Sequence, residues 1–516
     1  MLTRRQFVSS AAIGPLALIG APAILRAQGL LHAYSFTLGV TSGDPAPDGF
    51  VLWTRLAPVP RDRHGGMPMV PMPVQWEVAM DEHFATIAAA GEAIARPELG
   101  HSVHVEVGGL LPDRPYWYRF ALGGDRSPQG RARTLPLPGS SPQSLRFGVC
   151  GCQNYEDGHY TALRHLAAED LAFVYHYGDF IYENARPGPG ITPWGQALPL
   201  VRSHVGQECF DLADYRLRHA QYLTDPDLQA ARAAHSWLPS FDDHEIANNW
   251  VSDMDAKGAP ADIFLLRRQA ALQAWYEYMP VRAALLPRGG ATTAYREARF
   301  GDLLAMDVLD TRSYRSDQPC GDGFKPRCAG MSDRTAHVLS NEEERWLLRN
   351  MKRKTTRWNC MAQQVMMMSL DRRMTPDMPE KIYNLDSWAG YEVPRRRLLS
   401  RIKGLDNVVV LTGDEHQNFA GILDDGNRPV AVEFVSTSIS SGGDGSDLRF
   451  GSDRMRANNP QVKFLNDQRG YLTCDVTPDN WRTNFMVVDR VSIPGGAITR
   501  RAVANVARGD VGISMS

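Results

Sequence analysis

Four stretches of this chain run an apolar segment straight into residues that can hold a metal ion or move a proton. LRFGVCG delivers Cys152, LAFVYHYG delivers Asp179 and then Tyr182, HSWLPSF delivers Asp242, Asp243 and His244, and NVVVLTG delivers Asp414 and His416. Each has an ordinary explanation when taken singly. Glycine and aspartate are common turn residues, the tyrosine of HYGDFIYE can pack, and a histidine can sit in a core. Taken together they place thiol, phenol, carboxylate and imidazole at four strand ends, where ligands bind in α/β sheets. A metal site accounts for the whole set, with Asp179 and Tyr182 presented by one tight turn.

The donor types narrow the metal. Carboxylates are hard donors suited to Ca2+, Mg2+, Mn2+ or Fe3+. A thiolate and a phenolate on one ion point to a strongly Lewis-acidic metal, with Fe3+ the natural choice. Only a highly charged ion deprotonates a phenol of pKa about 10 near neutral pH. The two oxygens of Asp179 can bridge two ions. Clustered cations, acids and a histidine suit the hydrolysis of a phosphate ester: the cations yield a hydroxide, spread the phosphoryl charge and align the attacking and leaving oxygens. No serine stands among these acids, so a metal-activated hydroxide is the expected nucleophile. SISSGGDGSD, near residue 441, reads as a flexible loop.

The elements that must position these residues follow two grammars. Over residues 34–138, SFTLGV, GFVLWTRL, PVQWEVAM, HSVHVEV, YWYRFAL and GRARTL are short, often alternating runs parted by Gly, Pro or Asp, which predicts a small all-β, immunoglobulin- or fibronectin-like sandwich. FATIAAAGEAIA has helical propensity, but its place between strands makes it a strand here. LPLPGSSPQ, residues 135–143, reads as a linker. Beyond it SLRFGVCG, HYTALRHLAAE and LAFVYHYG form a βαβ unit, and residues 145–505 read as one large α/β or α+β catalytic domain.

The N-terminus reads as an export signal over residues 1–28: LTRRQFV carries Arg4 and Arg5, an uncharged apolar stretch broken by Gly14, Pro15, Gly20 and Pro22 follows, and Ala27 offers a cleavage position. The paired arginines predict the twin-arginine machinery as a partner and a periplasmic or secreted location. No second long apolar stretch follows, so no stable membrane insertion is expected after cleavage. A net charge of −2 gives no global bias toward nucleic acid. Of the seven cysteines, Cys320 and Cys328 bracket CGDGFKPRC, a loop that a disulfide could close, whereas Cys150 and Cys152 are too close for easy pairing. Cys209, Cys360 and Cys474 read as small core residues.

SFTLGVTSGDPAPDGFVLWTRL, FGVCGCQNYEDGHYTALRHLA, LAFVYHYGDFIYE, FDDHEIANNW, LDTRSYRSDQ, LDSWAGY and LTGDEHQNFAG, in this order, resemble the PhoD-type alkaline phosphatases over nearly the whole chain. The resemblance implies a metallophosphoesterase-like catalytic domain after the sandwich, with Fe3+ and neighbouring Ca2+. It implies Cys152, Asp179 and Tyr182 as iron-side ligands, with Asp179 shared with calcium and Cys150 a nearby extra. Asp414 and His416 resemble the family's Gly-Asp-x-His element, and Asp243 and His244 stand where broader metallophosphoesterases carry Asn-His. HYGDFIYE departs slightly from the commoner His-Leu-Gly-Asp-Tyr-Ile-Tyr form, but both ligand positions are kept. The expected function is an exported alkaline phosphatase acting on phosphate monoesters, with diesters as side substrates. His244 is expected near the phosphate, and Asn248 or Asn249 is expected to orient it. A monomer is expected. A phosphodiesterase or phospholipase D on the same scaffold is the enzyme alternative. A calcium-binding surface protein is the alternative from another class, and it leaves Cys152 with Tyr182 unexplained.

Overall fold

The computed structural model describes residues 33–516 apart from 354 and 427. The export signal read in residues 1–28 lies outside the described residues. Two large sheets face each other. The first has ten strands, ordered Ser514–Met515, Ile498–Ala507, Asn480–Val488, Gly470–Val476, Leu145–Cys150, Val174–His176, Ser236–Pro239, Val40–Ala46, Gly49–Arg55 and Ser102–Val107. The second has seven, ordered Arg296–Phe300, Leu304–Val308, Trp358–Ala362, Val408–Thr412, Pro429–Val435, Asn418–Asp424 and Val462–Asn466. In each sheet four neighbouring strands run parallel at the centre. Parallel strands are covered on both faces, which is why VVVLT and SWLP read as unbroken apolar runs.

Phe147, Val149, Tyr175 and Leu472 of the first sheet meet Phe300, Met306, Val409 and Phe434 of the second in one core. The helices Thr161–Ala167, Leu212–Leu223, Pro226–Ala234 and Ala261–Tyr278 cover the outer face of the ten-stranded sheet. Asn341–Met351 and Glu392–Ile402 cover the outer face of the seven-stranded one. The result is a layered helix–sheet–sheet–helix arrangement. Helix starts follow local chemistry: Asp211 and Asp214 form a capping box, and Ser340 caps Asn341–Met351 through the Glu343 amide. Among the described residues no helix is long and apolar enough to cross a membrane.

The N-terminal β region is a sandwich, but one of its sheets is borrowed. Met72–Ala79, Ile87–Ala95, Pro115–Leu122, Asp125–Arg126 and Gly130–Arg133 form a five-stranded sheet. Val74, Tyr118 and Phe120 of that sheet pack on Val40, Phe50 and Leu52, which belong to the ten-stranded sheet. FATIAAAGEAIA forms the strand Ile87–Ala95, paired with Met72–Ala79, so tertiary pairing overrides its helical propensity. The strand expected at SFTLGV begins only at Val40 and continues through TSGDPA to Ala46. It is held there by parallel pairing of Ser42 with Ser236 and Gly43 with Trp237, a long-range partner that local propensity does not register.

Candidate metal centre

The parallel strands of both sheets end on the same side, and the turns that leave them converge. Cys152, Asp179, Asp414 and His416 all have left-handed backbones, with φ of 50°, 55°, 65° and 52°. Such conformations cost of order 1 kcal/mol each and gather at functional sites. Gly178, at φ 137°, turns the chain into Asp179; a Cβ there would lie 2.5 Å from the backbone nitrogen of Asp242. Gly413 lets the Asp414 turn lie against the Tyr177 ring, which a Cβ would approach to 2.1 Å. Glu245 fastens two of the turns together, accepting the amides of Asp179 at 3.0 Å, Phe180 at 2.6 Å and Asp242 at 2.8 Å.

Three sets of donor atoms result, each with all its atoms within 4.8 Å of one another: Cys152, Asp179 and His416; Asp179, Asp243 and His244; and Asp242, Asp243 and Asp414. Asp179 and Asp243 each belong to two sets, so neighbouring ions would share them. Tyr182 donates its phenol to Asp179 Oδ2 at 2.8 Å and lies 3.2 Å from His416 Nε2. Its ring stacks on His244 at 4.1 Å between centroids. Cys152, Asp179, Tyr182, Asp242 and Asp243 are buried, whereas His244, Asp414 and His416 are partly exposed and mark the open side.

The electrostatics fit a cation site. Burial pushes Asp179 well above the usual carboxylate range, and Asp243 adds to this. Burial and then Asp242 raise Asp414 in the same way. Burial takes Asp242 up to about 6, with Arg312 opposing. Cys152 and Tyr182 are raised by burial and then by Asp179. Asp243 is the exception: burial alone would raise it, but His244 and Arg312 draw it down to about 2. Burial disfavours a charged His244, yet Asp243, Glu183 and Asp179 raise it well above an ordinary histidine. Burial lowers His416 to about 3, leaving a neutral imidazole suited to ligation. Asp242 Oδ2 is buried without a hydrogen-bond partner. Carboxyl, thiol and phenol groups that resist ionising for want of countercharge are a donor set that cations complete.

Several contributors were not singled out by sequence. Arg312 reaches Asp242 at 2.6 Å, Asp386 at 2.9 Å and Asp243 at 3.4 Å. Glu183 Oε2 holds His244 Nδ1 at 2.7 Å. Ser441 Oγ lies 2.7 Å from both Tyr182 Oη and the Cys152 carbonyl. The reading of SISSGGDGSD as a flexible loop is therefore corrected: Ser438, Ile439, Ser440 and Ser441 are buried, and Arg469 braces them through Ser438 Oγ at 2.8 Å. Asn248 is exposed, and it is its backbone N–H that is used, donating to Glu183 Oε1 at 2.7 Å. Asn249 donates its backbone N–H to Asp243 Oδ2 at 2.8 Å. Cys150 packs in the helix-side core, away from this cluster. Cys320 and Cys328 are joined by a disulfide.

Facing sheets flanked by helices, with a donor cluster where the parallel strands end, define a metallophosphoesterase-like protein. A purple acid phosphatase from yellow lupin (Lupinus luteus) seeds shares this fold, with a TM-score of 0.53 over 91% of this chain and 74% of that one at 12% identity. A family model for PhoD-like phosphatases matches residues 147–485, and one for the PhoD-like phosphatase N-terminal domain matches residues 24–136. The chain belongs to the PhoD-like phosphatase family and is a phosphoric ester hydrolase. It is 45% identical to alkaline phosphatase D of Bacillus subtilis (strain 168) over 477 residues, 91% of this chain and 80% of that protein. A solved structure of PhoD superposes with a TM-score of 0.90 at 44% identity, covering 94% of this chain and 92% of the other.

Proposed function

We propose that this chain is an exported alkaline phosphatase that prefers phosphate monoesters, takes diesters as secondary substrates, and works with Fe3+ and Ca2+. The observation that carries this reading is the sharing of Asp179 and Asp243 between adjoining donor sets. The set with Cys152, beside Tyr182, suits Fe3+, and the carboxylate-rich sets suit Ca2+. When bound, such cations supply Lewis-acid charge to the phosphoryl oxygens and acidify water. Metal analysis of purified protein, with rates on an aryl phosphate monoester and the matching diester, tests the proposal. Iron and calcium together, a visible absorption band that Tyr182→Phe removes, and faster monoester turnover are expected. A colourless, fully active zinc protein would refute the metal assignment.

The chain's own groups handle the leaving oxygen. Glu183 fixes His244 through Nδ1, and its other oxygen is occupied by the Asn248 amide at 2.7 Å and Asn184 Nδ2 at 2.8 Å. In this reading Asp179 and Asp243 would hold the ion of their shared set without His244, whose imidazole, held through Nδ1, keeps Nε2 as the end able to give a proton to a departing alkoxide. Glu183→Gln should lower turnover of an alkyl phosphate about 10- to 100-fold and scarcely alter a nitrophenyl phosphate, whose leaving group needs no proton. Equal losses on both substrates would remove His244 from this role.

Export by the twin-arginine route is part of the proposal. Four distant segments build the centre, so it exists only in the folded chain, and that route carries folded proteins. Iron would enter inside the cell and calcium outside it. Replacing Arg4 and Arg5 by Lys should trap an iron-loaded, calcium-poor and weakly active precursor in the cytoplasm. Normal export of that variant, or full activity of the trapped form without added calcium, would overturn this.

A further inference from the structure

The loop closed by Cys320 and Cys328 lies at the edge of the donor cluster. Cys320, Gly321, Asp322 and Gly323 all have positive φ, between 57° and 79°. For Cys320 and Asp322 this is a conformation that side-chain-bearing residues resist. The segment is held in it by the disulfide, by Lys325 Nζ donating to the carbonyls of Cys320 at 2.7 Å and Gly321 at 3.0 Å, and by pairing of Phe324–Pro326 with Ile382–Asn384. So arranged, Asp322 Oδ2 accepts Asn249 Nδ2 at 2.6 Å. Two residues before Cys320, Gln318 Nε2 donates to the Asn249 carbonyl and to Asp386 Oδ1, each at 2.8 Å.

Asn249 is thus gripped at its side chain and at its carbonyl by one short segment. Asparagine tolerates the left-handed backbone it adopts here, φ 52°, so what the grip supplies is position. What the grip secures is the N–H that Asn249 donates to Asp243 Oδ2. A donor on a carboxylate forms a charge-assisted bond that fixes which way the carboxylate oxygens point. Asp243 is shared by two of the three donor sets, so its orientation bears on both.

We propose that the disulfide-closed loop is a clamp that orients Asp243, acting through Asp322 and then Asn249. Asp322 is a positioning residue that need not touch substrate. The inference rests on the reading that Asp243 serves the hydrolytic centre. Breaking the clamp lets Asn249 relax and withdraw its N–H, so the centre remains but is held less tightly.

Asp322→Ala, with the disulfide intact, should lower kcat/KM about tenfold, the worth of roughly one hydrogen bond to a charged group. Asp322→Asn, which keeps an acceptor oxygen for Asn249, should restore most of the loss. The double substitution Cys320→Ser with Cys328→Ser should match Asp322→Ala. Amide hydrogen exchange at Asn249, read by mass spectrometry, should quicken in both clamp-broken variants. Wild-type kcat/KM in Asp322→Ala overturns the proposal whatever the exchange shows, and it decides the matter if the double variant fails to fold. Asp243→Asn serves as the control. If it too retains wild-type turnover, the reading of the centre has failed; if it is inactive while Asp322→Ala is not, the clamp alone has failed.

Discussion

Asp179→Asn is expected to lower kcat/KM by about three orders of magnitude or more, a loss of ~4 kcal/mol in transition-state stabilisation. Asparagine has the same shape and tolerates the left-handed backbone at φ 55°, so the turn should survive. What changes is the donor set. Asp179 belongs to the Cys152–His416 group and to the Asp243–His244 group, and an amide offers one neutral oxygen where the carboxylate offers two charged ones. The amide NH2 would also confront the Tyr182 phenol, which now donates to Asp179 Oδ2. Turnover and bound metal measured on the same samples, with thermal unfolding as a check on folding, decide the matter. Activity within tenfold of the parent, with unchanged metal content, would show that Asp179 bridges nothing.

Arg312→Ala should be the most destabilising single change in this region, by about 3–5 kcal/mol. Arg312 is 0% exposed, so water cannot screen the charges it leaves behind. It binds Asp242 Oδ1 at 2.6 Å, Asp386 through two contacts of 2.9 Å, and Asp243 at 3.4 Å. Asp386 keeps Arg315 at 2.8 Å, so the loss falls mainly on Asp242 and Asp243. Cations bound as proposed would neutralise that same acid pair, so chelating them should enlarge the destabilisation. Arg312→Lys keeps the charge but not the fork that spans several carboxylates, and should fall between. Urea unfolding of the three proteins with and without chelator provides the measurement. A loss below about 1 kcal/mol would mean that the acids are neutral without Arg312.

The residues that sequence brought forward share a local signature: each follows an apolar run that can only be a buried strand. Cys152, Asp179, Asp243, Asp414 and His416 were legible for that reason, and the structure distributes them among three overlapping donor sets. Their supports have no such signature. Arg312 meets Asp242 across 70 residues, Glu183 meets His244 across 61, and Ser441 meets Tyr182 across 259. A buried charge paired at that range looks like any surface charge in the sequence. Ser441 shows the same limit in another form: glycine and serine signal a turn, but composition does not say whether the turn is buried. The order of the strands was equally hidden: VTSGDPA pairs with the neighbouring Gly49–Arg55, but its other partner, Ser236–Pro239, lies far along the chain.

The borrowed sheet has a consequence for how the molecule is made. Ser42 and Ser236 touch across 194 residues, and Tyr471 reaches back to Glu169 across 302. Leu145–Cys150, the strand that leads to Cys152, is bordered by Gly470–Val476 on one side and Val174–His176 on the other. A nascent chain still waiting for residue 470 therefore lacks one wall of its first sheet, however long it lingers on the ribosome. Pairings this distant fold slowly and leave strand edges open in the meantime. Assembly of the centre is thus expected to wait until nearly the whole chain has been made, and the half-made protein exposes the unpaired strand edges that invite aggregation.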